Sequence, residues 1–398
     1  MKRLFGILLW ALFCLFGTQL SFGQNNREQV LALQRQAIEL MDNGDPDQGI
    51  VLLRQALTLD PDYWPLTYEM AYAYMVKRDY QKAIKLAKTL YKYEDCNDLV
   101  YQLVGNCYDY LKNPKKALKV YAQGLKRFPD SGALYLEQGV VSGMQGHYDE
   151  AVASFEKGIS VAPMFPSNYY RAAQFYAYST SKVWSQIYGE IMMNLLPSGD
   201  RNKEMSELLF RNYKTGIVFS TDSVSVDFYE NRPIAITIDM LLAGDVREPY
   251  GAVYEAAMQA AAGGERSVDL ESLNRIRSRW IDEGLKKLDE GANTVLKYDN
   301  QIVVPFLEYL RSVRDAGHLE AYNYWVLREG NKTAFGLWVN DNRQKFNDFM
   351  KWFEHNRLKN RGCPDSDIVL IINRGCGNRY TNIWGFGGVS EFAYLCRR

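Results

Sequence analysis

The sequence predicts an all-α fold, a right-handed α-solenoid of helix–turn–helix repeats followed by a helical C-terminal module. Three observations carry this expectation. Pro61, Pro129 and Pro163 lie on one 34-residue register that continues to Pro197, with Asp95 in the remaining slot. Twelve residues before each stand Gly49, Ala83, Ala117, Ala151 and Ser185, and twelve further back stand Ala37, Ala71, Gly105, Gly139 and Ala173. Helix breakers fall between the two sets, as in Asn43-Gly44-Asp45-Pro46, Lys112-Asn113-Pro114 and Gln145-Gly146-His147. Paired helices approach closely only where side chains are small, and Gly, Pro and Asn are costly inside a helix.

Taken in order, the chain opens with Lys2 and Arg3, an apolar run from Leu4 to Phe16, and a polar stretch ending Ser21-Phe22-Gly23. This is the pattern of a secretory signal peptide over 1–23, cut after Gly23. The run is well short of the roughly 20 apolar residues that a span needs. No later stretch approaches a membrane span, so the mature chain is expected to lack a transmembrane segment. It is expected to be secreted across the inner membrane into the periplasm. The 398 residues carry 47 basic and 47 acidic side chains, and loss of Lys2 and Arg3 leaves 45 against 47. That balance offers no electrostatic case for nucleic acid or an anionic membrane. Five cysteines remain after cleavage, too few for a disulfide scaffold of this length.

The repeats occupy 24–197. Ala56, Gly124 and Gly158 add a third small slot, and Tyr74, Tyr108 and Tyr176 recur at the eleventh position of their units. Units one, three and four match the pattern best. The second lacks the proline but keeps Ala71, Tyr80 and Ala83, and the fifth departs at Gly189 and Met192. This period, with its small-residue slots and closing proline, resembles the tetratricopeptide repeat (TPR). The resemblance covers about two-fifths of the chain and implies stacked units whose first helices line a concave face. It also implies that positions two, five, nine, twelve and thirteen of each unit face the groove.

Carried onto this chain, those positions place Tyr68, Tyr72, Gln102, Asn106, Asp109, Tyr110, Tyr170 and Gln174 as peptide-binding residues. Lys and Arg, which clamp a terminal carboxylate in one subtype of the family, are missing from the groove positions. Tyrosine with Gln and Asn suits an extended peptide or protein segment, or a glycan, whose polar groups need neutral hydrogen-bond partners. The expectation is a non-catalytic interaction scaffold.

Residues 198–358 read as helices that extend or cap the solenoid. Glu204 to Tyr213, Tyr250 to Ala262, Asp269 to Leu288, Pro305 to Arg314 and His318 to Leu327 are helical by pattern. Ser223 to Phe228 alternates as a short strand would, and Pro233 to Leu242 suits either a strand or a helix. From Asn340 to Leu358, residues Phe346, Phe349, Met350 and Phe353 form one apolar face. The stretch 359–398 has a different texture, with Cys363, a strand-like run at Ile368–Ile372 and the glycines of Trp384-Gly385-Phe386-Gly387-Gly388.

Chemistry has little foothold in this sequence. His147, His318 and His355 show no ligand-like spacing, and no HExxH, CxxC or P-loop pattern occurs, so neither a metal nor a cofactor is expected. The enzymatic alternative is a thiol hydrolase with Cys376 or Cys363 as nucleophile, His355 as base and Asp365 as orienting acid. A Cys363–Cys376 disulfide is an equally good use of those thiols in an exported protein.

Overall fold

A computed structural model describes residues 26–221, 223–230, 250–289 and 302–358. The expected signal peptide, the ambiguous Pro233–Leu242 segment and the 359–398 stretch lie outside the described residues. The described chain falls into two compact units, 26–146 and 147–358.

The first unit is built from paired helices. α1 covers 26–42 and α2 Pro46–Leu59, followed by α3 (Trp64–Val76) and α4 (Tyr80–Lys88). α5 (Asp98–Tyr110) and α6 (Pro114–Arg127) form the third pair, and α7 (Gly132–Met144) closes the unit. Each second helix packs against the next first helix, and the first helices α3, α5 and α7 also pack in succession.

The turns inside the pairs repeat in atomic detail. Gly44, Arg78, Lys112 and Gly146, each 34 residues after the last, have positive φ of 91°, 63°, 57° and 82°. In the first three, the next residue's N–H reaches back to the carbonyl of Leu40, Tyr74 or Tyr108, which satisfies an otherwise open helix end. That next residue is Asp45, Asp79 or Asn113, and its side chain accepts the N–H three residues on, capping the second helix. One residue thus closes one helix and its neighbour opens the next.

The small slots do the work that the sequence assigns to them. Ala37, Ala71, Ala83 and Ala117 are fully buried. At Gly105 the ring of Tyr121 lies so close that an added Cβ would sit 2.0 Å from it. The second repeat's missing proline also has a local substitute. A 3₁₀ turn, Thr89–Lys92, extends α4, and the indole N–H of Trp64 donates to Asp95 at 3.0 Å.

The second unit begins with α8 (Tyr148–Val161), α9 (Pro166–Tyr176) and α10 (Val183–Leu195). α11 (Asp200–Gly216) packs on α10, with Leu209 and Met205 filling the space over Gly189. The all-α expectation holds with one small addition. β1 (Ile217–Phe219) pairs antiparallel with β2 (Val224–Val226), Ile217 opposite Val226. The alternation over Ser223–Phe228 marks the second strand, while the three residues of the first carry no such signal.

α12 (Tyr250–Ala262), α13 (Leu270–Asp289), α14 (Val303–Asp315) and α15 (Leu319–Leu327) follow, close to their expected bounds. The last expected helix begins earlier and is divided: α16 is Lys332–Asp341 and α17 is Arg343–Asn356. Of its apolar face, Phe349 and Phe353 are buried while Met350 is exposed.

The centre of this unit is polar. Arg277 of α13 is fully buried and pairs with Glu190 of α10 through two bonds, 2.5 and 2.9 Å long. The guanidinium also donates to Tyr213 Oη at 2.8 Å and Asn323 Oδ1 at 2.9 Å. Tyr322 donates to Glu190 and accepts from Asn194, so four helices, α10, α11, α13 and α15, meet at one ion pair.

Candidate functional site

The residues that the repeat pattern assigns to a groove divide between the two units. Tyr68 and Tyr72 lie four apart on α3 and therefore share a face. Both are half-buried. Asn106, Asp109 and Tyr110 are half-buried on α5, the first helix that packs beside α3. The Tyr121 hydroxyl donates to Asn106 Oδ1 at 2.6 Å, which orients the amide and leaves its NH₂ as the donor end. The Tyr110 ring stacks on Tyr80 with centroids 5.1 Å apart. Burial pushes the Asp109 carboxyl pKa above its ordinary value, with Lys112 opposing.

Gln102 stands differently from its neighbours. It is 3 % exposed, and its Nε2 donates to Glu137 of α7 at 2.8 Å. Its amide joins two helices inside the unit instead of standing open beside Asn106. Helix stacking at this position carries the side chain into the seam between α5 and α7.

In the second unit, Tyr170 on α9 is buried and its hydroxyl donates to the Glu204 carboxylate of α11. The guanidiniums of Arg171 and Arg201 lie 5.6 and 5.4 Å from its ring centroid. Gln174 accepts from Arg171 at 3.0 Å and is half-buried. Tyr170 therefore packs between helices with its polar end engaged.

The residues of the thiol alternative do not come together among the described residues. His355 is exposed on α17, its Nδ1 3.0 Å from the Lys351 carbonyl, while Cys363, Asp365 and Cys376 lie outside the described residues. The two described cysteines are buried thiols: burial raises Cys96 and pushes Cys107 up to about 12. Neither is a thiolate near neutrality, and the thiolate is the nucleophilic form. Among the described residues no cluster of three or more His, Cys, Asp or Glu could hold a metal ion. No helix among them is long and apolar enough to cross a membrane.

Two family models, both described as tetratricopeptide repeat, match residues 40–107 and 106–175. The fold is similar to several solved structures. A thermophilic TPR protein of Thermus thermophilus is 19 % identical and aligns over 45 % of this chain and 98 % of its own, with a TM-score of 0.38. PilF of Pseudomonas aeruginosa is 18 % identical over 48 % of this chain and 86 % of its own, also at 0.38. MamA of Desulfovibrio magneticus is 15 % identical over 43 % of this chain and 97 % of its own, at 0.34. No curated protein matches the chain at a significant level.

Proposed function

From the premise that residues 40–175 are tetratricopeptide repeats, as two family models match them, we propose that the chain captures an extended peptide segment of a protein partner on the first-helix face of those repeats. The repeats themselves support a protein–protein interaction scaffold. The finer reading rests on one observation: Tyr68 and Tyr72 on α3 stand beside Asn106, Asp109 and Tyr110 on the adjacent α5, all half-buried. Tyrosine buries much area with few rotamers to freeze, and a pre-oriented amide satisfies a strand-like backbone. The Tyr121 bond supplies that orientation for Asn106. Tyr170 contributes packing, and Gln102 the α5–α7 seam.

Export completes the reading. Lys2, Arg3 and the apolar run Leu4–Phe16 support a periplasmic protein cut after Gly23. Finding the N-terminus of the purified native protein at Met1 would remove that assignment.

The test of the groove is the double variant Tyr72→Ala with Asn106→Ala, checked by circular dichroism for an unchanged fold. Wild type and variant are compared as baits in the same extract, with captured proteins quantified by mass spectrometry. Proteins held by the wild type are expected to fall by about tenfold or more, the scale of a lost binding anchor. Their undiminished recovery on the folded variant would place binding elsewhere. Recovery should change little between low and moderate salt, because the face carries few charges.

A further inference from the structure

The even charge balance of the chain conceals a separation. α4 carries Lys82, Lys85 and Lys88, and α6 carries Lys115, Lys116, Lys119, Lys126 and Arg127, with no acidic residue in either helix. Subtracting those eight from the chain's 47 leaves 39 basic residues against 47 acidic ones elsewhere. The buried sides of α4 and α6 are alanine, isoleucine, valine and tyrosine, so all seven lysines point outward and are exposed.

These cations are arranged with the period of the fold. Arg54 of α2 donates to the Tyr74 hydroxyl at 3.2 Å, and Lys82 of α4 lies 5.3 Å from that ring. Thirty-four residues on, Lys88 of α4 donates to the Tyr108 hydroxyl at 2.8 Å, and Lys116 of α6 lies 5.5 Å from that ring. Tyr74 and Tyr108 are thus each bracketed by cations from the second helices on either side. Because Lys88 and Lys116 reach the same ring, α4 and α6 present their lysines on one continuous face. Arg127 is spent internally on the carbonyls of Tyr91, Tyr93 and Glu94, and Lys82 pairs with Asp79. Lys85, Lys88, Lys115, Lys116, Lys119 and Lys126 make no ion pair among the described residues.

We propose that this second-helix face docks the protein on an anionic lipid surface. Three features favour lipid over an acidic protein or a nucleic acid. The available cations are lysines, compact point charges without the planar fork that reads individual phosphates or carboxylates. They are spread along two outward-facing helices, an arrangement that senses charge density more than ligand shape. Val76, the last residue of α3, and Leu111, which follows α5, are 39 % and 37 % exposed and lead into the turns at Arg78 and Lys112 that precede α4 and α6. Apolar tips among basic residues suit the boundary between headgroups and acyl chains, and each cation near such a surface adds attraction.

The test is co-sedimentation of the full chain with vesicles of phosphatidylcholine, with and without roughly a third of phosphatidylglycerol, where each surface lysine contributes on the order of a few-fold. Binding is expected to the anionic vesicles alone and to disappear between about 0.05 and about 0.5 M salt. The variant K85E/K88E/K115E/K119E is expected to bind at least about tenfold more weakly. A control with Lys157, Lys214 and Lys351 of the second unit changed to Glu should keep its binding. Leu111→Ser with Val76→Ser should weaken vesicle binding while leaving retention on a polyanion resin unchanged. Equal binding to both vesicle types, or full binding by the quadruple variant, would overturn the proposal. Retention on DNA or polyglutamate without any vesicle binding would overturn it as well and hand the face to a polyanion. The Tyr72 and Asn106 changes lie outside the lysine-bearing helices α4 and α6 and leave this binding intact, so the two proposals fail separately.

Discussion

Arg277 and Glu190 form a bidentate ion pair with both side chains shut away from solvent, 0 % and 2 % exposed. Such a pair is expensive to break from one side, because the survivor is left as an unpaired buried charge. Arg277→Met or Glu190→Gln alone should cost about 3–5 kcal/mol. Replacing both with apolar residues of similar volume, Arg277→Met with Glu190→Leu, should recover most of the loss. Urea unfolding followed by tryptophan fluorescence measures both. A double variant no better than the worse single one would show that Tyr213, Asn323 and Tyr322 depend on the pair for their own satisfaction.

The recurring left-handed turn offers a second measurement. Arg78 and Lys112 hold φ of 63° and 57°, where a side chain is crowded and glycine is not. Lys112→Gly should raise stability by about 0.5–1 kcal/mol, and Gly44→Ala should lower it by about 1 kcal/mol. Opposite signs at equivalent positions of two repeats would confirm the conformational cause. A loss at Lys112→Gly would mean that its side chain contributes more than its backbone costs.

Gly105 against Tyr121 gives a steric test. An alanine Cβ would come within 2.0 to 2.6 Å of three ring atoms, and Tyr121 is fully buried with its hydroxyl on Asn106. Gly105→Ala should therefore destabilise the first unit by about 1–3 kcal/mol, even though alanine is the better helix former. It should also disturb the orientation of Asn106. Unchanged thermal unfolding of this variant would contradict the close α5–α6 approach.

Glu265 supplies the pH dependence. Arg275 binds its carboxylate at 2.8 and 3.0 Å, Arg279 adds a third bond at 2.8 Å, and together they lower its pKa from 4.5 to about 2. A carboxyl depressed on folding stabilises the native state above its unfolded value and loses that contribution as pH falls through the folded one. The stability difference between wild type and Glu265→Gln should thus be full above about pH 5 and fade towards pH 2. A difference that stays constant across that range would mean that the arginines do not hold the ionised form.

The sequence by itself determined the period, the paired helices, the turns at Gly44, Asn113 and Gly146, and the small residues at the crossings. Each of these is local: a turn needs its own breaker, and a close crossing needs a small side chain at a fixed helical spacing. The shared face of Tyr68 and Tyr72 on α3, and that of Asn106, Asp109 and Tyr110 on α5, was legible in the same way, from helical spacing.

Tertiary structure alone decided which polar groups were already taken. Gln102 meets Glu137 from 35 residues away and Tyr170 meets Glu204 from 34, contacts that no helical spacing within one element announces. The three residues of β1 are too few to show an alternation, so only their pairing with β2 defines them. Arg277 reads in sequence as one more charged residue of an amphipathic helix. It becomes the centre of a core because folding brings Glu190, 87 residues earlier, to its guanidinium. A charge can be buried only where its partner arrives with it, and that arrival is a property of the packed chain.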